Sequence, residues 1–337
     1  MDLLRAESLP MVDSLLAQFT GDTLHDHFLI DELLSSSFLR HYTAAEAISA
    51  SLVRVLLRSY FRLSCQADCC LVQASQIPDR AEACARNLTR YFNLAVNDRS
   101  ATGARKSCLL AVFSVLMAAY VRLGNWRLAG NAIRAVDALH ETGDKQEFSK
   151  SDRICHAYWR GRYALSQGEA EVAEKHLACA MSLCKSSDLE RIHFIHAYRA
   201  ISRSILLHRF PRQLPSNPIL FAILNSVKRG DLCSFRHTVQ QHQTFLLKRQ
   251  LYYIIVSSMS HQVIRQLVRF VWLSMQAESR IPLQWLVGGA RAINAASSVD
   301  LEEMECLLAN SINSGLIKGY ISHDKAILVL SKKNPFP

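Results

Sequence analysis

The absence of proline between Pro78 and Pro211 constrains the fold of this chain more than any other feature of its sequence. Proline interrupts a helix because it lacks a backbone N–H and its ring clashes with the preceding turn. Within this stretch apolar residues recur at helical spacing on both sides of Gly124 and Gly168, and the pattern repeats at Gly230. Because glycine ends a helix at low cost in the left-handed conformation, the pattern predicts stacked helix pairs, as in an α-solenoid.

The residues after each of these glycines support the same prediction. A polar residue suited to a helix start follows directly, and the fifth residue after each glycine is expected to pack inward. The polar residues are Asn125, Glu169 and Asp231, and the inward residues are Ala129, Ala173 and Phe235. The clearest internal break follows at Pro211, Pro215 and Pro218.

The last part of the chain has a different pattern. Residues 316–337, LIKGYISHDKAILVLSKKNPFP, alternate between apolar and polar side chains, which predicts strands over 317–322 and 325–331 around a turn at His323 and Asp324. Three predicted helices precede this hairpin, over 262–277, within 280–294 after a short extended segment, and over 299–315. Asp300 with Glu303 forms a predicted capping box at the start of the last helix, and Gly315 is predicted to end it. That order is typical of a winged helix, and packing on helices would stabilise a hairpin that is marginal alone.

We therefore predict a mainly α protein, an α-solenoid of helix pairs followed by a C-terminal winged-helix subdomain with a small β-hairpin. The predicted parts are an N-terminal helical region over 1–106, a helical-repeat region over 107–260 and the winged helix over 261–337. Half of the residues are hydrophobic and 20% are charged, which is typical of a folded chain. Residues 108–121 are too short to span a bilayer and no signal peptide is evident, so we expect a soluble intracellular protein without membrane contact.

Neither catalysis nor a cofactor is predicted. The sequence lacks the phosphate-binding, dinucleotide-binding, zincin and nucleophile-elbow motifs. Its ten cysteines include no C-x2-C pair, so we expect reduced, structural thiols. His25, Asp26 and His27, and separately His193 with His196, resemble partial metal sites without a further ligand, and turn or packing roles are preferred. An enzyme of unrecognised type would require a polar pocket with perturbed titrating groups.

Positive charge is concentrated towards the C-terminus. The net charge is +10, and residues 228–337 hold 13 basic and 7 acidic side chains. This distribution favours a polyanionic partner, either nucleic acid or an acidic protein, and a solvated basic face is the simpler alternative. The candidate nucleic-acid-binding residues are Lys228, Arg229, Lys248, Arg249, Arg265, Arg269, Lys318, Lys325, Lys332 and Lys333.

The predicted helices suggest how these residues would be used. Arg265 and Arg269 are expected on one exposed helix face, where a phosphate would relieve their mutual repulsion. The glutamates that open the helix over 299–315 repel phosphate, so contact is expected through the wing and the preceding basic helix. The free edge of the hairpin is expected to bind a protein partner through main-chain hydrogen bonds. Candidate interface residues are Tyr320, Ile321 and Phe336, whereas Trp285 is expected to pack in the core.

Residues 305–337 resemble the C-terminus of PCI-domain proteins of the mRNA-export branch. The combination of GYISH (319–323) and NPFP (334–337) is specific, because it is not a general winged-helix pattern. Upstream segments are also similar, namely IRAVDAL (133–139), YWRGRYAL (158–165), EKHLACAMSLC (174–184) and KRGDLCSFRHTVQQHQTFLLKR (228–249). The resemblance covers roughly residues 110–337.

This resemblance implies a non-enzymatic PCI scaffold subunit of a nuclear transcription-and-export complex. The implied partners are a larger PCI scaffold subunit, a small acidic disordered subunit, RNA or DNA, and nuclear pore components. The implied location is the nucleus and its pores, with the cytoplasm as a second location. The alternative is a PCI subunit of a signalosome-like or proteasome-lid-like complex that makes protein–protein contacts only.

Overall fold

The computed structural model describes residues 50–99, 104–141, 148–207 and 215–337, and the chain forms two compact units that divide between Trp159 and Arg160. His25, Asp26 and His27, together with much of the predicted N-terminal region, lie outside the described residues.

The first unit is helical throughout its described part. It contains α1 (Ala50–Gln73), α2 (Arg80–Val96), α3 (Ala104–Ser107), α4 (Leu109–Arg122), α5 (Trp126–Glu141) and the first part of α6 (Lys150–Ser166). Helix α4 is the most apolar, and α1, α2 and α5 pack around it so that nearly all of its side chains are buried. The apolar stretch of the sequence is therefore a core helix, and no described helix is long and apolar enough to span a membrane.

The second unit continues the helix pairs and ends in a small sheet. Its helices after α6 are α7 (Ala170–Leu183), α8 (Leu189–Leu207), α9 (Pro218–Arg229), α10 (Leu232–Gln241), α11 (Gln243–Lys248), α12 (Tyr252–Ile254), α13 (Ser260–Ser274), α14 (Leu283–Ile293) and α15 (Leu301–Asn313). A π-helical turn, Ile255–Met259, joins α12 to α13. The strands are β1 (Arg280–Pro282), β2 (Gly319–Ser322) and β3 (Ile327–Leu330).

The glycine turns predicted from the sequence are confirmed. Gly124, Gly168 and Gly230 have φ angles of +74°, +83° and +72°, and each separates two consecutive helices. The three residues expected to face inward, Ala129, Ala173 and Phe235, are all buried. The predicted break is confirmed on its C-terminal side, where α9 begins at Pro218 and Asn217 caps the new helix, whereas Pro211 lies outside the described residues.

The winged-helix order is confirmed, with one additional strand pairing. The sheet has the order β1-β3-β2, and both pairings are antiparallel. The extended segment before α14 is β1, which pairs with β3 through Ile281 and Leu328. Both residues are fully buried, so the sheet covers the helices with its apolar face. The wing strands are shorter than predicted. The turn extends from His323 to Ala326, so β3 begins at Ile327, and β2 begins only at Gly319.

The last helix pair is tightly joined to the winged helix. A Cβ on Gly230 would lie 2.8 Å from the backbone nitrogen of Leu267, so the α9–α10 turn contacts the backbone of α13 directly. Asp231 caps α10 by accepting from the Ser234 amide at 2.9 Å, and it also accepts from Asn294 at the end of α14 at 3.1 Å. These contacts fix the positions of α13 and α14 relative to the preceding helix pair.

Candidate interaction surface of the winged helix

The wing presents four exposed lysines. Lys318 precedes β2, Lys325 lies in the turn, and Lys332 with Lys333 follow β3. None of the four makes an ion pair with a residue in the described parts of the chain. The structure therefore places these predicted binding residues where a polyanion could reach them.

The backbone of Lys318 brings three of these lysines together. Its carbonyl oxygen accepts from the Ser331 amide at 2.8 Å, and its own amide donates to the carbonyl oxygen of Pro335 at 2.9 Å. The segment that carries Lys332 and Lys333 is thus held at both ends by one residue. We call Lys318, Lys332 and Lys333 the wing-exit cluster.

Arg265 does not share the exposed face of Arg269, and that expectation is wrong. Only 6% of Arg265 is exposed, whereas Arg269 is exposed one turn later. The Arg265 guanidinium donates to the carbonyl oxygens of Phe336 at 3.3 Å and Pro337 at 3.1 Å. Burial lowers the pKa of Arg265, and the charge of Arg269 lowers it further. The end of the chain covers this part of α13, so Arg265 is engaged within the fold.

Phe336 also faces inward in this structure. Its ring meets Trp272 edge to face with 5.5 Å between centroids, and the Arg265 guanidinium carbon lies 5.8 Å from its centre. Of the three predicted interface residues, Tyr320 is 63% exposed, while Ile321 and Phe336 are half-buried. Strand β2 lies at the edge of the sheet, as the predicted interface requires, and Tyr320 is its most accessible side chain.

The remaining predicted cations lie on the helical repeat. Lys228 and Arg229 are exposed at the end of α9, and Lys248 is exposed at the end of α11. Arg249 is half-buried, because its guanidinium lies over the rings of Phe194 and Phe245 at 5.7 and 4.7 Å. Arg249 thus contributes to packing, whereas the other three are accessible.

An apolar groove between α13 and α14 was not predicted. It has a volume of about 440 Å³, and Phe270, Trp285 and the backbone of Gly288 and Gly289 contribute to its lining. Trp285 is 59% exposed, so its predicted core position is wrong. The sequence signal for this groove was the pair of adjacent glycines in a predicted helix after a tryptophan. Each glycine weakens the helix, so its presence there indicates a requirement for a missing side chain in packing or at the surface.

The wing turn is tied to α15 by a titratable pair. His323 Nδ1 lies 2.9 and 3.0 Å from the two carboxylate oxygens of Glu305. The hydrogen bond and the charge of Glu305 raise the pKa of His323, and Asp324 and Glu302 raise it further. Among the described residues, no three His, Cys, Asp or Glu side chains are grouped so that they could hold a metal ion.

The second unit thus consists of helix pairs followed by a winged helix with an exposed sheet edge. Residues 239–332 match the PCI domain, so the chain contains a PCI domain at its C-terminal end.

Several curated proteins are similar to this chain along most of its length. The chain is 27% identical to the "Protein CSN12 homolog" of Neurospora crassa over 78% of its own length and 62% of the relative's. It is 27% identical to "PCI domain-containing protein 2" of Danio rerio over 78% of this chain and 65% of that one. It is 26% identical to "COP9 signalosome complex subunit 12" of Eremothecium gossypii over 77% of this chain and 68% of the relative. The chain thus spans less than two thirds of the Neurospora and Danio relatives.

Proposed function

We propose that this chain is a non-enzymatic scaffold subunit of a signalosome-related multi-subunit complex, which it joins through its PCI domain. The observation that carries the proposal is the PCI match over residues 239–332 on a fold that ends in an accessible sheet edge. The names of the Neurospora and Eremothecium relatives support the class of complex. A partner strand could extend the sheet beside β2, and the apolar groove between α13 and α14 offers a second contact.

The experiment is purification of the full-length tagged chain from cells, followed by identification of stoichiometric partners by mass spectrometry. Signalosome or proteasome-lid subunits with PCI domains are expected. The variant that tests the surface is Tyr320→Ala combined with Trp285→Ala, which should lose those partners. Tyr253→Ala removes an aromatic side chain that is 74% exposed outside the winged helix and should retain them. Purification as a lone monomer would contradict the proposal.

The second candidate is an mRNA-export subunit that contacts RNA or DNA. The observation that favours it is the exposed positive charge of the wing-exit cluster. Its partners would be a larger PCI scaffold subunit, a small acidic disordered subunit and nuclear pore components, with a nuclear location. Recovery of nucleoporins and an mRNA-bound scaffold in the same purification would favour this candidate over the first.

Nucleic-acid contact has its own test. Lys332→Glu with Lys333→Glu should weaken binding to a short single-stranded RNA and flatten its dependence on salt, since each phosphate contact releases counterions. Lys150→Glu with Lys185→Glu makes the same change in net charge at exposed positions outside the PCI domain. Equal affinities and salt slopes for the two double variants would exclude a role for the wing.

A further inference from the structure

The end of the chain is held by contacts to three separate parts of the winged helix. Arg265 of α13 donates to the last two carbonyl oxygens, and Trp272 of the same helix meets the Phe336 ring edge to face. The Lys318 amide, just before β2, donates to Pro335. Residues 334–337 therefore connect α13 to the start of the wing.

The positions of the cluster lysines depend on these contacts. The Ser331 amide donates to the Lys318 carbonyl oxygen, and the Lys318 amide donates to the Pro335 carbonyl oxygen. Only three residues lie between Ser331 and Pro335, and they include Lys332 and Lys333. The bond at Ser331 continues the β2–β3 ladder, whereas the bond at Pro335 needs residues 334–337 to stay docked. Release of that segment would leave both lysines held by the bond at Ser331 only.

We propose that residues 334–337 are an intramolecular strap that arranges Lys318, Lys332 and Lys333 as one site for the phosphates of a single-stranded nucleic acid, and that Arg265 is its positioning residue. The proposal rests on the second candidate function and gives Arg265 a role different from phosphate contact. Burial of Arg265 keeps its guanidinium from the ligand, while its two bonds to the strap hold the lysines in place. Preorganised lysines bind phosphate without first losing the conformational freedom of a loose segment.

The first experiment tests the strap without any ligand. Hydrogen exchange at the Lys318 amide should accelerate at least about tenfold in Arg265→Met, because its acceptor at Pro335 is released. Phe336→Ala should act in the same direction, and Phe336→Tyr should restore protection because it keeps the ring against Trp272. Arg291→Met removes an exposed charge on α14 and should leave this amide unchanged. Unchanged exchange in both Arg265→Met and Phe336→Ala would overturn the strap.

The second experiment measures binding of a short oligouridine against salt concentration. Arg265→Met and Phe336→Ala should both weaken binding and reduce the salt slope, although Phe336 carries no charge, and Phe336→Tyr should restore both. Arg291→Met should change neither by a comparable amount. If Arg265→Met does not fold, Phe336→Ala decides the result. Absence of oligouridine binding by the unmodified chain would overturn the second candidate function and the phosphate site with it, whereas the exchange measurement judges the strap separately.

Discussion

Gly288 and Gly289 are neighbours in α14 with opposite surroundings. A Cβ on Gly289 would lie 2.5 Å from Cγ2 of Val271, whereas a Cβ on Gly288 would meet nothing within 4 Å. Val271 is buried and β-branched, so it can yield little. The missing side chain at Gly289 therefore allows α14 to approach α13 closely, and the one at Gly288 leaves the groove open.

The two alanine variants should change stability in opposite directions. Gly289→Ala is expected to lower the free energy of unfolding by about 1–3 kcal/mol through overpacking against Val271. Gly288→Ala is expected to raise it by about 0.5–1 kcal/mol, because alanine has the better helix propensity at an open site. Urea denaturation of both variants measures the difference. Equal effects would show that the close approach is absent.

Helix α15 is fixed by local signals at both of its ends. The Asp300 side chain accepts from the Glu303 amide at 2.8 Å, as predicted from the sequence, and Gly315 follows the helix with a φ of +73°. Met304 and Leu308 lie between these ends and are fully buried. Both helix ends could be predicted from the sequence because each depends on residues within one turn of the helix.

Loss of the cap should destabilise the protein without changing its fold. Asp300→Ala is expected to cost about 1 kcal/mol, since the Glu303 amide loses its acceptor. Asp300→Asn keeps an acceptor oxygen at the same place and should recover most of that loss. Thermal unfolding followed by circular dichroism compares the three proteins. Identical melting of Asp300→Ala and the unmodified chain would contradict the cap.

The pair between His323 and Glu305 should make the wing sensitive to pH. Because the pKa of His323 is raised in the folded state, the pair contributes stability below the ordinary histidine pKa of about 6.5, and this contribution is lost as the pH rises through the raised value. His323→Gln should therefore be less stable than the unmodified chain at acid pH and equal to it at alkaline pH. Melting temperatures over this range measure the effect.

His196 serves as a control because its pKa is shifted in the opposite direction to that of His323. Burial lowers the pKa of His196, and the positive charge of Arg199 lowers it further. Protonation of His196 therefore favours the unfolded state. His196→Gln should therefore reduce the loss of stability below a pH of about 6.5. A shift of the same sign in both histidine variants would contradict these assignments.

At the scale of the whole molecule, the winged helix depends on the helix pair before it. Val263, Ile264, Leu267 and Val268 of α13 are completely buried, and α9 and α10 cover part of this surface. Arg236 of α10 also contacts Glu303 of α15 at 2.6 Å. A winged helix without α9 and α10 would expose this apolar surface to water.

A fragment of residues 261–337 should therefore not unfold cooperatively when expressed alone. A fragment of residues 215–337 keeps α9 and α10 and is expected to show a cooperative transition. Chemical denaturation monitored by tryptophan fluorescence compares the two, since Trp272 and Trp285 lie in both. A cooperative transition in the shorter fragment would show that the winged helix is independent.

The sequence predicted those parts of the molecule that depend on neighbouring residues. The glycine turns, the cap at Asp300 and the order of the wing are local or depend on short periodic patterns. Arg265 was misplaced because its hydrogen-bonding partner Phe336 lies 71 residues away, and a polar spacing on one helix face does not show what later covers it. Trp285 was misplaced for a related reason, since its exposure depends on how closely α14 approaches α13.

Gly230 limits how the C-terminal part of this chain can be exchanged with that of another chain. Its lack of a side chain lets the α9–α10 turn rest on the backbone at Leu267, and any larger residue would separate the two. A chain that joined α13 to a different preceding helix pair would place another turn against the backbone at Leu267. An engineered exchange of C-terminal modules between related chains must therefore carry α9 and α10 together with the winged helix.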